Sequence, residues 1–168
     1  SWFAAARPAE RHRAVTTPVD TQVLVAVKAL IDAAGTSAAV VDIDRTEADP
    51  YTPADLPAIN LLAVEESTQH LTPLNLATGA VCVNRLQLVV QVVASGGSAA
   101  GAQARLISAQ VAAALGADPT LAGLCMVGLL PAGKQWLRDD DGDSRLIRQN
   151  NLYVCSYRTT SANPFTTL

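Results

Sequence analysis

Aromatic side chains are scarce in this chain: seven of 168 residues, or 4%, are Phe, Trp or Tyr. Charge is scarce too, at 16% against roughly 25% in an average globular domain. No apolar run reaches the roughly 18 residues that a membrane-spanning helix needs. The longest strongly apolar stretch, Leu86 to Ala94, is broken by Gln87 and Gln91. The three cysteines, Cys82, Cys125 and Cys155, are widely spaced with no CxxC pair. That excludes a disulfide framework and predicts three buried, reduced thiols. With only two histidines, His12 and His70, no zinc-ligand spacing can be drawn either. The net charge of −3 argues against a generally basic nucleic-acid binder. Trp2 to Ala6 precede Arg7, Arg11 and Arg13, the reverse of the order in a signal peptide.

What is present is small and apolar. Hydrophobic residues make up 49% of the chain and 30 of its residues are alanine. A chain this long buries roughly 70% of its unfolded surface, enough for a core without metal or disulfide. Charge falls in blocks. Asp42, Asp44, Glu47, Asp49, Asp55, Glu65 and Glu66 share their segment with one base, Arg45, and no acid occurs from Ser67 to Ala117. Asp139, Asp140, Asp141 and Asp143 are then followed by Arg145 and Arg148. Such segregation fits faces that meet different partners, or solvated loops.

The periodicity predicts an α+β fold: a mostly antiparallel sheet with two helices packed on one face, a hairpin and an extended C-terminal strand. The first helix is expected to be capped by Asp20 or Thr21, to bury Val23, Leu24, Val27, Leu30 and Ile31, and to end at Gly35. Strands are expected at Ala39–Ile43 and Ala58–Val64, separated by a loop with three prolines, and Glu66–Thr78 reads as irregular. In the long strand Ala80–Ala94, Leu86, Leu88, Val90, Val92 and Ala94 form one apolar face, and Arg85, Gln87, Val89, Gln91 and Val93 the other. The second helix, about Ala99–Leu115, carries a stripe of Ala102, Leu106, Ile107, Val111, Ala114 and Leu115 and stops at Gly116. Asp118-Pro119 is expected to open a short helical turn. Strands at Cys125–Leu130 or Cys125–Leu137 and at Leu146–Arg158 close the domain around an Asp139–Ser144 hairpin loop. The expected division is a leader or arm over residues 1–18, one domain over 19–160 and a tail over 161–168.

No motif specifies a catalytic, metal or cofactor site. Asp139–Asp143 resembles a calcium loop, but with Gly142 at position six, Leu137 and Arg148 fall on the first and last ligand positions. A hairpin turn explains it better. Gly96-Gly97-Ser98 lacks the lysine of a phosphate loop. Glu65 and Glu66, adjacent in a strand, point to opposite faces. A cysteine beside His70 would be a nucleophile–base pair, but each cysteine reads as a core thiol.

The C-terminal half carries more specific motifs. LQLVVQVVASGG leads into SAAGAQARLISAQVAAAL, then Asp118-Pro119-Thr120-Leu121-Ala122-Gly123-Leu124, then a hairpin ending in Tyr157-Arg158-Thr159-Thr160 and Asn163-Pro164. This resembles the tail terminator proteins of long-tailed bacteriophages and the related minor tail and tail-completion proteins of the neck. The resemblance implies a structural virion protein that forms a ring, usually of six copies, on the head-proximal end of the tail tube. Its partners would be further copies of itself, the tail tube protein and a neck or head-completion protein. DNA would pass through the lumen without sequence-specific binding, and no cofactor, enzyme activity or membrane is implied. Localisation would be the virion, after assembly in the host cytoplasm. Asp139, Asp140, Asp141, Asp143, Arg145, Arg148, Glu65, Glu66 and Arg85 are then the residues expected to face a neighbouring subunit or the lumen. Another neck or tail component, such as a head-closure or tube protein, and a small ligand-binding or enzymatic domain are the alternatives.

Overall fold

The computed structural model describes residues 17–73, 79–139 and 146–168. The leader's Trp2, Phe3 and arginines, and Asp140 to Arg145 of the hairpin, lie outside them. The fold is α+β. Helix α1 (Val19–Ala34) is followed by β1 (Val40–Ile43), β2 (Ala58–His70), β3 (Val81–Ser95), α2 (Ala100–Ala117), β4 (Leu130–Asp139) and β5 (Leu146–Thr160). The five strands form one sheet in the order β1-β2-β3-β5-β4. Only β1 and β2 run parallel. No helix of the described residues is long and apolar enough to cross a membrane.

The register explains why β3 alternates as it does. Leu86, Leu88, Val90, Val92 and Ala94 lie on the face covered by both helices and are at most 1% exposed. The opposite face is amphipathic, with Gln91 donating to Asn150 at 3.0 Å. It is also partly covered. Parallel strands need a crossover, and residues 44–57 supply it by passing over this face, where Arg45 and Tyr51 share a cleft with Val93 and Arg148. Val93 is 1% exposed as a result.

Helix α1 starts at Val19, so Pro18 takes the cap position and neither Asp20 nor Thr21 caps it. Gly35 ends it in the left-handed conformation, φ 62°. Helix α2 runs through Gly116, which is not its cap. Its buried face is Ala100, Ala104, Ile107, Ser108, Val111, Ala114 and Leu115, an i, i+4, i+7 series. Ala102 and Leu106 are rotated off that series and exposed. Small residues at 100, 104 and 108 let the helix approach the sheet closely. Ser108 accepts a hydrogen bond from the Asn151 amide at 3.1 Å.

Strand β2 is longer than its apolar run suggests. It continues through Glu65 and Glu66 to His70, with a register shift between Ala63 and Glu65. Val64 is therefore an extra residue in the ladder, a bulge. The segment after α2 is turns, not a helical turn and a strand. The Asp118 carboxylate accepts from the Ala122 amide at 2.7 Å and the Thr120 hydroxyl at 2.9 Å. The Leu129 amide donates back to the Pro119 carbonyl at 2.6 Å. Strand β4 can begin only after that fold-back, at Leu130. Pro131 is tolerated because β4 is an edge strand. Strand β5 runs two residues past the expected end at Arg158, keeping Thr159 and Thr160 in the sheet.

The same fold-back corrects the cysteine expectation. It brings Cys125 beside β5, where its Cα is 5.6 Å from that of Cys155, and the two form a disulfide. Cys82 is the free, buried cysteine. Widely spaced cysteines gave no sign of this because the proximity is made by tertiary turns. The bridge spans 30 residues and encloses the β4–β5 hairpin. Replacing both cysteines by alanine is expected to lower the unfolding free energy by about 3–4 kcal/mol on the loop-entropy model, measured by urea denaturation under oxidising conditions.

Candidate functional site

A 15-residue strand extends about 50 Å, whereas α1 and α2, with 16 and 18 residues, reach only about 25 Å. Among the described residues the helices therefore cover one end of their face and leave the other open. At the open end the inward residues turn polar: Glu66, Thr68 and His70 of β2, Cys82 and Asn84 of β3, Tyr157 and Thr159 of β5. With Asp20 and Pro164 they line a cleft of about 380 Å³. The C-terminal residues frame it. The Val19 amide donates to the Pro164 carbonyl, and the Leu168 amide to the Arg158 carbonyl. Gly79 permits this closure, because a Cβ there would lie 2.7 Å from the Ala162 nitrogen.

The cleft is a hydrogen-bonded set. The Tyr157 hydroxyl donates to a Glu66 carboxylate oxygen at 2.5 Å. Asn84 accepts from the Thr68 hydroxyl and donates to that of Thr159, both at 2.8 Å. The Cys82 sulfur lies 3.4 Å from His70 Nδ1 and 3.5 Å from the Ala80 carbonyl. The bulge at Val64 makes these pairings possible. In a regular ladder Glu65 and Gln69 would occupy this face; the extra residue turns Glu66 and His70 onto it instead. The cross-strand pairs His70–Cys82 and Thr68–Asn84 follow directly from the register.

The chemistry available is limited. His70 and Cys82 have the types and spacing of a base and a nucleophile. The thiol, however, is only 3% exposed, and no carboxylate of the described residues hydrogen-bonds His70 to orient it. Among the described residues, no group of three or more His, Cys, Asp or Glu could hold a metal ion.

A second cleft lies on the opposite face at the other end of the sheet. Arg45 sits there over the Tyr51 ring, 4.2 Å from its centroid. It pairs with Asp42 at 2.9 Å, and with Asp49 and Asp55 at 3.4 Å. Three of the seven acids in that block thus converge on its one base and tie down the crossover. Their charge belongs to the loop's own structure. Asp55 also accepts from the Thr52 amide and hydroxyl, which holds its carboxyl below the usual carboxylate range.

The residues expected at an interface or lumen are dispersed. Glu66 lines the first cleft and Arg148 the second. Glu65 and Arg85 are exposed on the crossover face, opposite Gln87 and Ser67 respectively. Asp139 closes β4; Asp140, Asp141, Asp143 and Arg145 lie outside the described residues. The sequence offers a cysteine beside His70 without singling out Cys82 and favours a core thiol instead; the Glu66–Tyr157 pair is not recognised there. Both cross-strand pairings depend on a bulge that no residue type announces.

No protein-family model and no curated relative matches the chain. The chain is similar to a chain in a solved structure described as the virion of a native gene transfer agent (GTA) particle. The identity is 23% and the TM-score 0.47, covering 88% of this chain and 99% of that one.

All three tyrosines have raised pKa values. Burial and nearby Asp42 push Tyr51 up to about 12; burial raises Tyr153; burial and Glu66 raise Tyr157. Unfolded tyrosine ionises near pH 10. Above that pH the unfolded chain loses protons that the folded chain retains. The tyrosine contribution to stability is therefore intact below pH 10 and declines as pH rises toward 12 and beyond. A spectrophotometric titration at 295 nm should show little phenolate at pH 10.5 in the folded protein, with the signal appearing together with unfolding.

Proposed function

We propose that this chain is a structural virion protein of the tail terminator type. It forms a ring that caps the head-proximal end of a tail tube and joins it to the neck. The observation that carries the reading is the distribution of exposed apolar side chains. Of the eleven large ones among the described residues, Met126, Val127, Leu130, Trp136 and Leu137 fall in one stretch of twelve. That stretch runs along the outer side of β5, from the hydrogen bond between the Met126 amide and the Ser156 carbonyl to the end of β4. Exposed apolar side chains gathered along one margin of the sheet, Trp136 on the helix-bearing face and Leu130 and Leu137 on the other, suit an assembly surface. An exposed strand edge beside it adds unpaired backbone groups.

The motifs from Leu86 onward support the same reading, as does a net charge of −3, which suits a bore that passes DNA without binding it. The partners are further copies of the chain, six in the usual ring of this type, together with a tube protein and a neck protein. Purified protein is expected to give a discrete oligomer by light scattering. Trp136→Ser with Leu130→Ser should shift it to monomer while leaving the circular dichroism spectrum unchanged. Long tubes would favour a tube protein over a terminator.

The Cys82–His70 pair favours a second reading, thiol chemistry in the open cleft. Alkylation separates the two. A buried structural thiol reacts with iodoacetamide only on unfolding, so labelling of Cys82 in the native protein at the rate of a free thiol supports the second reading.

A further inference from the structure

We infer that neighbouring copies join by β-sheet addition, the outer edge of β4 in one copy pairing antiparallel with the free outer edge of β2 in the next. This rests on the ring reading above and assigns its contact. Strand β1 pairs with β2 only from Ala58 to Leu61, so among the described residues Leu62–His70 has an unpaired side. At the other margin of the sheet, β4 has β5 as its single neighbour among the described residues. These two edges are different surfaces, as a heterologous ring contact requires. They also have matching polarity. With the strands in the order β1-β2-β3-β5-β4, β2 and β4 run in opposite directions. Rotating one copy into the next preserves strand direction, so β4 meets the neighbour's β2 antiparallel, with the helix-bearing faces on the same side.

Length, charge and apolar character agree with the pairing. The free part of β2 has nine residues and β4 has ten. Pairing them at their centres sets Lys134 opposite Glu66. Both lie on the helix-bearing face, since Lys134 pairs with Asn151 and Glu66 with Leu86. Two residues along, exposed Trp136 meets Val64, which is 61% exposed at its bulge. Pro131 cannot donate a ladder hydrogen bond and a register shift follows it, so the pairing runs from Gly133 onward.

The test is a charge swap read by native mass spectrometry and light scattering, with circular dichroism and thermal melting to confirm folding. Lys134→Glu places like charges together and should weaken assembly roughly a hundredfold. Glu66→Lys should do the same, and the double variant should restore the ring. In the wild-type ring, hydrogen exchange should slow at the amides of 62–67 and 133–138 relative to dissociated protein; this readout does not depend on the variants folding. A wild-type ring whose single variants assemble normally, or whose two edges exchange as fast as in the monomer, overturns the edge contact and leaves the ring reading intact. Wild-type protein that stays monomeric at millimolar concentration overturns both.

Discussion

The antiparallel ladder through β2, β3 and β5 is about twice as long as the helices packed on it, and the rest of the molecule follows from that mismatch. Where α1 and α2 lie, β2 and β3 present Ile, Leu and Val inward, and β5 adds the buried amides of Gln149 and Asn151, the latter hydrogen-bonded to Ser108. Beyond the helix ends no further element of the described residues supplies apolar cover, and there the same strands present Glu66, Asn84, Tyr157 and Thr159. Buried polar groups are tolerated only when their hydrogen bonds are made. The cross-strand network among these residues therefore allows the sheet to continue past its core.

The two faces meet this constraint differently. On one face, α2 contacts the strands through alanine and serine as well as Ile107 and Val111, and α1 through Val, Leu and Ile. On the other, the crossover between β1 and β2 is held by Arg45 against three aspartates and the Tyr51 ring. Few aromatics are needed where small side chains bring the layers together. The low overall charge is likewise concentrated: part of it binds a loop to the sheet, and part lies on the margins where the sheet ends.

The fold class, the two helices, the alternating faces of β3 and the closing hairpin were legible in the sequence, because each is written in a local period or a glycine stop. The illegible parts were those set by tertiary geometry. The Cys125–Cys155 bridge arises from a fold-back anchored by Asp118 and Pro119, and the late start of β4 has the same origin. The continuation of β2 through Glu65–His70 is held by pairing with β3, although its own residues are polar and resemble a loop. The rotated stripe of α2 was missed because leucine at 106 outweighed alanine at 100 and 104 as a sign of burial. The candidate clefts combine residues from three strands. Sequence distance alone could not join His70 to Cys82 or Tyr157 to Glu66.

The extra residue at Val64 divides β2 into two reading frames. Before it, odd-numbered positions such as Ile59 and Leu61 face the helices; after it, even-numbered ones do. One lost or gained residue in this strand would exchange the inner and outer surfaces of everything downstream without altering any side chain. Related chains should therefore vary in length here by pairs of residues, and a lone insertion or deletion should appear only with a second that restores the parity.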